Sequence, residues 1–121
     1  GKQRRELIFV DDAVEAMINL LDEENQVFNL GSGKDNSINE FAQKVCDCYD
    51  YDFKSVRHDL SKYVGVKEKK IDTTKVIKHL GNKTFLKTSL DEGLKKSVEY
   101  FTKAMEKKWL VENIYQPCQN L

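Results

Sequence analysis

Four groupings of side chains here have types and spacing that could do chemistry: the Arg4-Arg5 pair, the lysine cluster Lys67, Lys69 and Lys70, the Tyr63/Lys67 pair, and Cys46/Cys48 with His58 and His79. Basic side chains close together bind anions, because a guanidinium grips a phosphate through two parallel N–H bonds and an ammonium neutralises it as a point charge. Tyr63 and Lys67 are four apart, the spacing at which a helix sets a phenol beside an ammonium that lowers its pKa for proton transfer. Val64-Gly65-Val66 between them is poor helix, and in so lysine-rich a chain the spacing arises by chance. Cys-x-Cys supplies one ligand pair without a second, so no metal site is expected; on a helix, one of these thiols packs inward and the other faces out. Gly31-Ser32-Gly33-Lys34 suggests a phosphate loop, but Phe28 and Asp35 stand where a Walker loop needs Gly and Ser or Thr, and Asn36 stands where a dinucleotide fingerprint needs its third Gly. A turn that needs permissive backbone accounts for it better.

Twenty basic residues balance twenty acidic ones, so no global field favours nucleic acid or an anionic membrane, and any anion site must be local. A hydrophobic fraction of 40% in 121 residues suits one compact core, and no run approaches the roughly 20 apolar residues of a membrane span. Three cysteines are an odd number, which together with the absence of a signal-like start points to reduced thiols and a cytoplasmic protein.

The elements that must position these groups alternate, which predicts an α/β chain. Leu7 to Val10 reads as a strand, followed by a helix whose apolar face is Val14, Met17, Ile18 and Leu21, with Asp11 or Asp12 capping it. Gln26 to Leu30 reads as a second strand. Ser37 and Glu40 form a capping box that opens a helix with Ile38, Phe41, Val45 and Tyr49 inward. Phe53 to His58 alternates like a third strand. After the connector 60–70, Asp72 or Thr73 caps a helix through Val76, Ile77 and Leu80 that Gly81 closes. Ser89 and Glu92 open the last helix, whose Leu94, Val98, Phe101 and Met105 continue toward Trp109, and 110–121 reads as a tail.

Arg5-Glu6-Leu7-Ile8-Phe9-Val10-Asp11-Asp12 is similar to the Arg-x-Phe-x-Tyr/His-Val-Asp-Asp run of extended short-chain dehydrogenase/reductases acting on nucleotide sugars, and Phe28-Asn29-Leu30-Gly31-Ser32-Gly33 to their Asn-Val/Leu-Gly-Ser-Gly turn. Ser37-Ile38-Asn39-Glu40-Phe41-Ala42 and Ser89-Leu90-Asp91-Glu92-Gly93-Leu94 resemble the family's two later helix starts. Ser61-Lys62-Tyr63-Val64-Gly65-Val66-Lys67, followed by Lys69-Lys70-Ile71-Asp72, looks most like bacterial GDP-L-fucose synthases and related nucleotide-sugar epimerases. Leu7, Phe9 and Glu68 depart from the pattern, Glu68 standing where the family commonly has arginine.

In that family an N-terminal Rossmann domain holds NAD(P) and a smaller C-terminal region closes over the nucleotide sugar. The resemblance therefore implies a small C-terminal portion of about four helices with short strands, its Rossmann core missing. Residues 1–33 would pack as strand-helix-strand on the cofactor domain, and 34–109 would form the helical substrate part. Arg5 is implied to approach the diphosphate, and Lys67 and Lys69 the nucleotide side. No catalytic, cofactor or metal residue is expected in this chain, and the family's catalytic Tyr/Lys pair would lie before residue 1. The implied partner is a nucleotide sugar, with a GDP-sugar favoured. The implied reaction is NAD(P)-linked epimerisation and reduction, which the chain alone would not carry out. Without the cofactor domain, strand edges and apolar faces would be exposed and favour self-association. The alternative is a free-standing sugar-nucleotide-binding or protein-interaction module without catalysis.

Overall fold

The structure, a computed structural model, describes residues 1–81 and 85–106. Along the chain run strand β1 (Arg4–Glu6), helix α1 (Val10–Asn19), strand β2 (Asp35–Ser37), helix α2 (Ile38–Cys48), a 3-10 turn (Phe53–Ser55), helix α3 (Thr74–Leu80) and helix α4 (Leu90–Glu106). Among the described residues the architecture is α/β, four helices with a small antiparallel ribbon and no Rossmann sheet. The ribbon pairs Arg4 with Ser37, Arg5 with Asn36 and Glu6 with Asp35. A single parallel bridge brings Glu68 beside Arg4 on the other edge of β1. Trp109 and the tail 110–121 lie outside the described residues.

Helix starts follow local chemistry. The Ser37 hydroxyl accepts from the Glu40 amide at 3.1 Å, and the Glu40 carboxylate accepts from the Ser37 amide at 2.6 Å, the capping box expected for α2. Ser89 accepts from the Glu92 amide at 3.2 Å ahead of α4. The Asp72 carboxylate receives the Thr74 amide at 2.9 Å as α3 begins, and Gly81 ends α3 at a φ of 76°. Along α2, Cys46 is buried and Cys48 exposed, as residues two apart on a helix require. The helices α2 and α4 lie together through the Lys44–Asp91 ion pair and a 2.9 Å hydrogen bond between the Tyr49 and Thr102 hydroxyls.

Three expected strands are placed differently. The first is Arg4–Glu6 rather than Leu7 to Val10: Asp35–Ser37 offers its ladder to the earlier residues, and α1 already begins at Val10. Gln26 to Leu30 carries no ladder, since no strand among the described residues lies beside it; Phe28 and Leu30 still pack on the core. Phe53 to His58 is not a strand, because the Asp52 carboxylate accepts from the Lys54 amide at 3.0 Å and the Asp52 carbonyl from the Ser55 amide at 2.9 Å. This local bonding closes a 3-10 turn and overrides a moderate alternation.

Helix α1 is turned away from its expected face. Ala16 is fully buried against Val76 and Phe85, with Ile8, Leu20, Phe28, Leu30, Ile77, Leu80 and Leu86 around them. Val14, Met17, Ile18 and Leu21, the expected inward stripe, are all exposed. Positions 12, 16 and 20 repeat every four residues on the opposite side of the helix, and that side meets the core. Asp12 lies on it and does not cap α1; at 3% exposure its two carboxylate oxygens accept from the Thr88 amide and hydroxyl, each at 2.9 Å. The carboxylate thus ties the first turn of α1 to the chain entering α4. Gly93 of α4 is buried under Phe9, where an added Cβ would stand 3.2 Å from the ring, so its lack of a side chain allows the close approach.

Candidate functional site

The alternation of β1 separates the two arginines. Arg4 and Glu6 share one face of the ribbon and Arg5 takes the other. On its face, Arg4 is fully engaged: Nε donates to Asp35 Oδ2 at 2.9 Å, Nη2 to the Asp35 carbonyl at 2.7 Å, and Glu40 lies 3.6 Å from Nη1. The Asp35 hydrogen bond, with Glu40 and Glu68 adding their field, holds the Arg4 guanidinium charged and raises its pKa above the ordinary value.

The same contacts hold Asp35 below the usual carboxylate range, first through the Arg4 hydrogen bond, while Glu40 is held low first by the Ser37 amide. A carboxylate depressed in the fold contributes stability above its unfolded pKa of about 4 and loses it as pH falls through the lower folded value. Asp59 and Asp72 are shifted in the same direction by bonds from Ser61 and Thr74. The thermal midpoint is therefore expected to hold from about pH 7 to 5 and to fall below about pH 4. Differential scanning calorimetry across that range checks it; a midpoint that rises between pH 5 and 3 would contradict the arrangement. Arg4→Gln should make the acid loss shallower.

Glu6 organises the same face. Its Oε1 accepts from the Gly33 amide at 2.6 Å and its Oε2 from the Ile71 amide at 3.1 Å, so one carboxylate joins β1, the Gly31-Ser32-Gly33 turn and the segment before α3. A Cβ on Gly31 would stand 2.3 Å from Glu6 Oε1, which explains the glycine there, and Gly33 has a φ of 70°. The Gly33 amide, which an anion loop would turn to a ligand, is spent on Glu6. Sequence reasoning missed Glu6, although two glycines at 31 and 33 signal that something passes close to their backbone.

Arg5 faces the other way. Its Nη1 donates to the Arg4 carbonyl at 2.6 Å and its Nη2 to the Val66 carbonyl at 3.0 Å, and no carboxylate among the described residues pairs with it. Backbone bonds from the Arg4 amide to the Lys67 carbonyl, 2.8 Å, and from the Lys69 amide to the Arg4 carbonyl, 3.2 Å, fix the basic segment against β1. Extended alternation then puts Glu68 on the Arg4 face and Lys67 and Lys69 on the Arg5 face. Glu68 acts on Arg4 and Lys70 on Asp35, as that parity requires. Lys67 and Lys69 are exposed, and neither pairs with a carboxylate among the described residues. Backbone parity alone thus assigns the three candidate residues named from the sequence to one side of the ribbon.

Other groupings do not assemble a reactive site. Tyr63 and Lys67 lie on non-helical backbone around Gly65, whose φ is 68°. His79 meets Glu23 at 2.8 Å and His58 meets Asn39 at 2.7 Å. No three His, Cys, Asp or Glu side chains among the described residues are grouped to hold a metal ion. A hollow of about 500 Å³ between α2 and α4, lined by Lys44, Asp91, Leu94 and Val98, lies apart from Arg5 and carries both signs of charge. No helix among the described residues is long and apolar enough to cross a membrane.

No family model matches the chain. Over 116 residues it is 36% identical to a probable GDP-L-fucose synthase 1 of Oryza sativa subsp. japonica, an alignment covering 94% of this chain and 31% of that protein. The chain therefore spans about a third of the length of the curated relative it matches. That relative is a plant protein, so the match does not single out the bacterial subgroup suggested by residues 61–72. It supports the expected kinship at a coarser level: nearly the whole chain is similar to one portion of an epimerase/reductase-family enzyme.

Proposed function

We propose that this chain is the nucleotide-sugar-binding portion of an NAD(P)-dependent epimerase/reductase similar to GDP-L-fucose synthase, and that it does not catalyse alone. The observation that carries the reading is the Arg5 guanidinium, which pairs with no carboxylate among the described residues and is bonded to the Val66 carbonyl, next in the chain to Lys67, on the face opposite the neutralised Arg4. A diphosphate suits such a group: the N–H bonds that the Arg4 and Val66 carbonyls leave unused on the guanidinium donate to its oxygens, and the ammonium groups offset the remaining charge. The residues of the Gly31-Ser32-Gly33 turn do not fit a dinucleotide pyrophosphate, because the Gly33 amide is bonded to Glu6. NAD(P) would then be held elsewhere in the intact enzyme. The exposed Val14, Met17, Ile18 and Leu21 face of α1, with Leu7 and Val27, is the surface on which the cofactor domain or a second copy of this chain would pack.

Isothermal titration with GDP-mannose and UDP-glucose tests the site. Arg5→Ala is expected to weaken binding about tenfold, as loss of a charge-assisted hydrogen bond does. Lys67→Gln and Lys69→Gln should each weaken it only a few-fold, an effect that fades with added salt. Affinity that is unchanged by Arg5→Ala would remove this face from the function.

A further inference from the structure

The segment before Lys67 has a property that phosphate binding does not use. Leu60 and Tyr63 are 89% and 97% exposed, and Val64 and Val66 are also exposed, so four apolar or aromatic side chains stand in water within seven residues. This loop is tethered at both ends. The Asp59 carboxylate accepts from the Ser61 amide at 3.0 Å and from its hydroxyl at 2.6 Å, fixing the entry turn. At the exit, Gln3 Nε2 donates to the Val64 carbonyl and Arg5 Nη2 to the Val66 carbonyl, both at 3.0 Å. Gln3 and Arg5 are two apart on extended backbone, so both reach from one face, and the chain at 64–66 lies over it. Gly65, at a φ of 68° with nothing within 4 Å of an added Cβ, turns the loop there.

Resting on the nucleotide reading above, we infer that this loop is the base-binding lip of the same site, with the Tyr63 ring stacking on the nucleobase while Arg5 meets the diphosphate. The ligand chemistry matches the two halves. A nucleoside diphosphate joins a flat, weakly polar ring to a dianionic group, and here an exposed aromatic ring adjoins a segment bonded directly to a guanidinium that no carboxylate among the described residues pairs. Every base presents a π-face, so stacking adds affinity without choosing between bases. Leu60, Tyr63, Val64 and Val66 stand exposed in the same stretch of chain as the exposed Lys62, Lys67 and Lys69, so apolar surface and positive charge lie close in sequence.

Titrations of GDP and of inorganic pyrophosphate into the full chain, its Tyr63→Ala and Tyr63→Phe variants and Arg5→Ala separate the two ideas. Tyr63→Ala is expected to weaken GDP about tenfold and leave pyrophosphate unchanged. Tyr63→Phe, which keeps the ring, should bind GDP as the parent does, and Arg5→Ala should weaken both ligands. If Tyr63→Ala leaves GDP unaffected, or weakens GDP and pyrophosphate equally, the stacking role is overturned while an Arg5-dependent phosphate site stands. If neither ligand binds in an Arg5-dependent way, both readings fall. Tyr63 is almost fully exposed, so loss of folding does not confound its two variants.

Discussion

Phe85→Ala is expected to lower the unfolding free energy by about 3–5 kcal/mol, a large share of the 5–15 kcal/mol that a domain of this size possesses. Phe85 is fully buried, and its ring fills the space between Ala16 of α1 and Val76 of α3; truncation removes its transfer energy and leaves a cavity that these neighbours only partly fill. Urea unfolding followed by circular dichroism should show a lower midpoint with an unchanged slope. Ile18→Ala is the informative control. Ile18 belongs to the apolar stripe that periodicity points inward, yet it is 61% exposed, so its truncation should change stability by no more than about 0.5 kcal/mol. If Ile18→Ala cost as much as Phe85→Ala, α1 would be turned the other way, with the stripe at 14, 17, 18 and 21 in the core.

That reversal shows where sequence reasoning reaches its limit. Capping boxes are local, so Ser37/Glu40 could be read from three residues of spacing and is found intact. A helix that is apolar on two sides gives periodicity no single answer. Ala16 and Leu20 form a narrower inward stripe than Val14, Met17, Ile18 and Leu21, and the choice between them depends on the distant Val76 and Phe85. The site behaves similarly. Arg5, Lys67 and Lys69 could be named from residue type and resemblance, but the distinction between Arg4 and Arg5 could not follow from composition alone. It comes from the ladder register, which sets Asp35 on the face of Arg4 and leaves Arg5 on the other. Glu6 joins residues far apart in the chain, and its trace in the sequence is the glycine pair of the 31–33 turn: it crowds Gly31 and accepts from the Gly33 amide.

Asp12→Ala is expected to cost about 2–3 kcal/mol, the second-largest effect on stability. Its two oxygens accept from the backbone and side chain of Thr88, and removing the carboxylate leaves a partly buried amide and hydroxyl without their partner. Asp12→Asn keeps one acceptor and should cost less, about 1 kcal/mol. A cap for α1 would be a different role, with a different signature: its loss would destabilise α1 alone and would be indifferent to residue 88. The two are separated by a double-mutant cycle with Thr88→Val, which removes the hydroxyl bond and keeps the shape. A coupling of at least 0.5 kcal/mol between positions 12 and 88 is expected, since they share one hydrogen-bonded unit. Additive losses would return Asp12 to the capping role that its place after Val10 suggests and would detach α1 from the entry to α4. Hydrogen exchange offers an independent check: in Asp12→Ala the Thr88 amide should exchange faster than in the parent, relative to amides in the middle of α4.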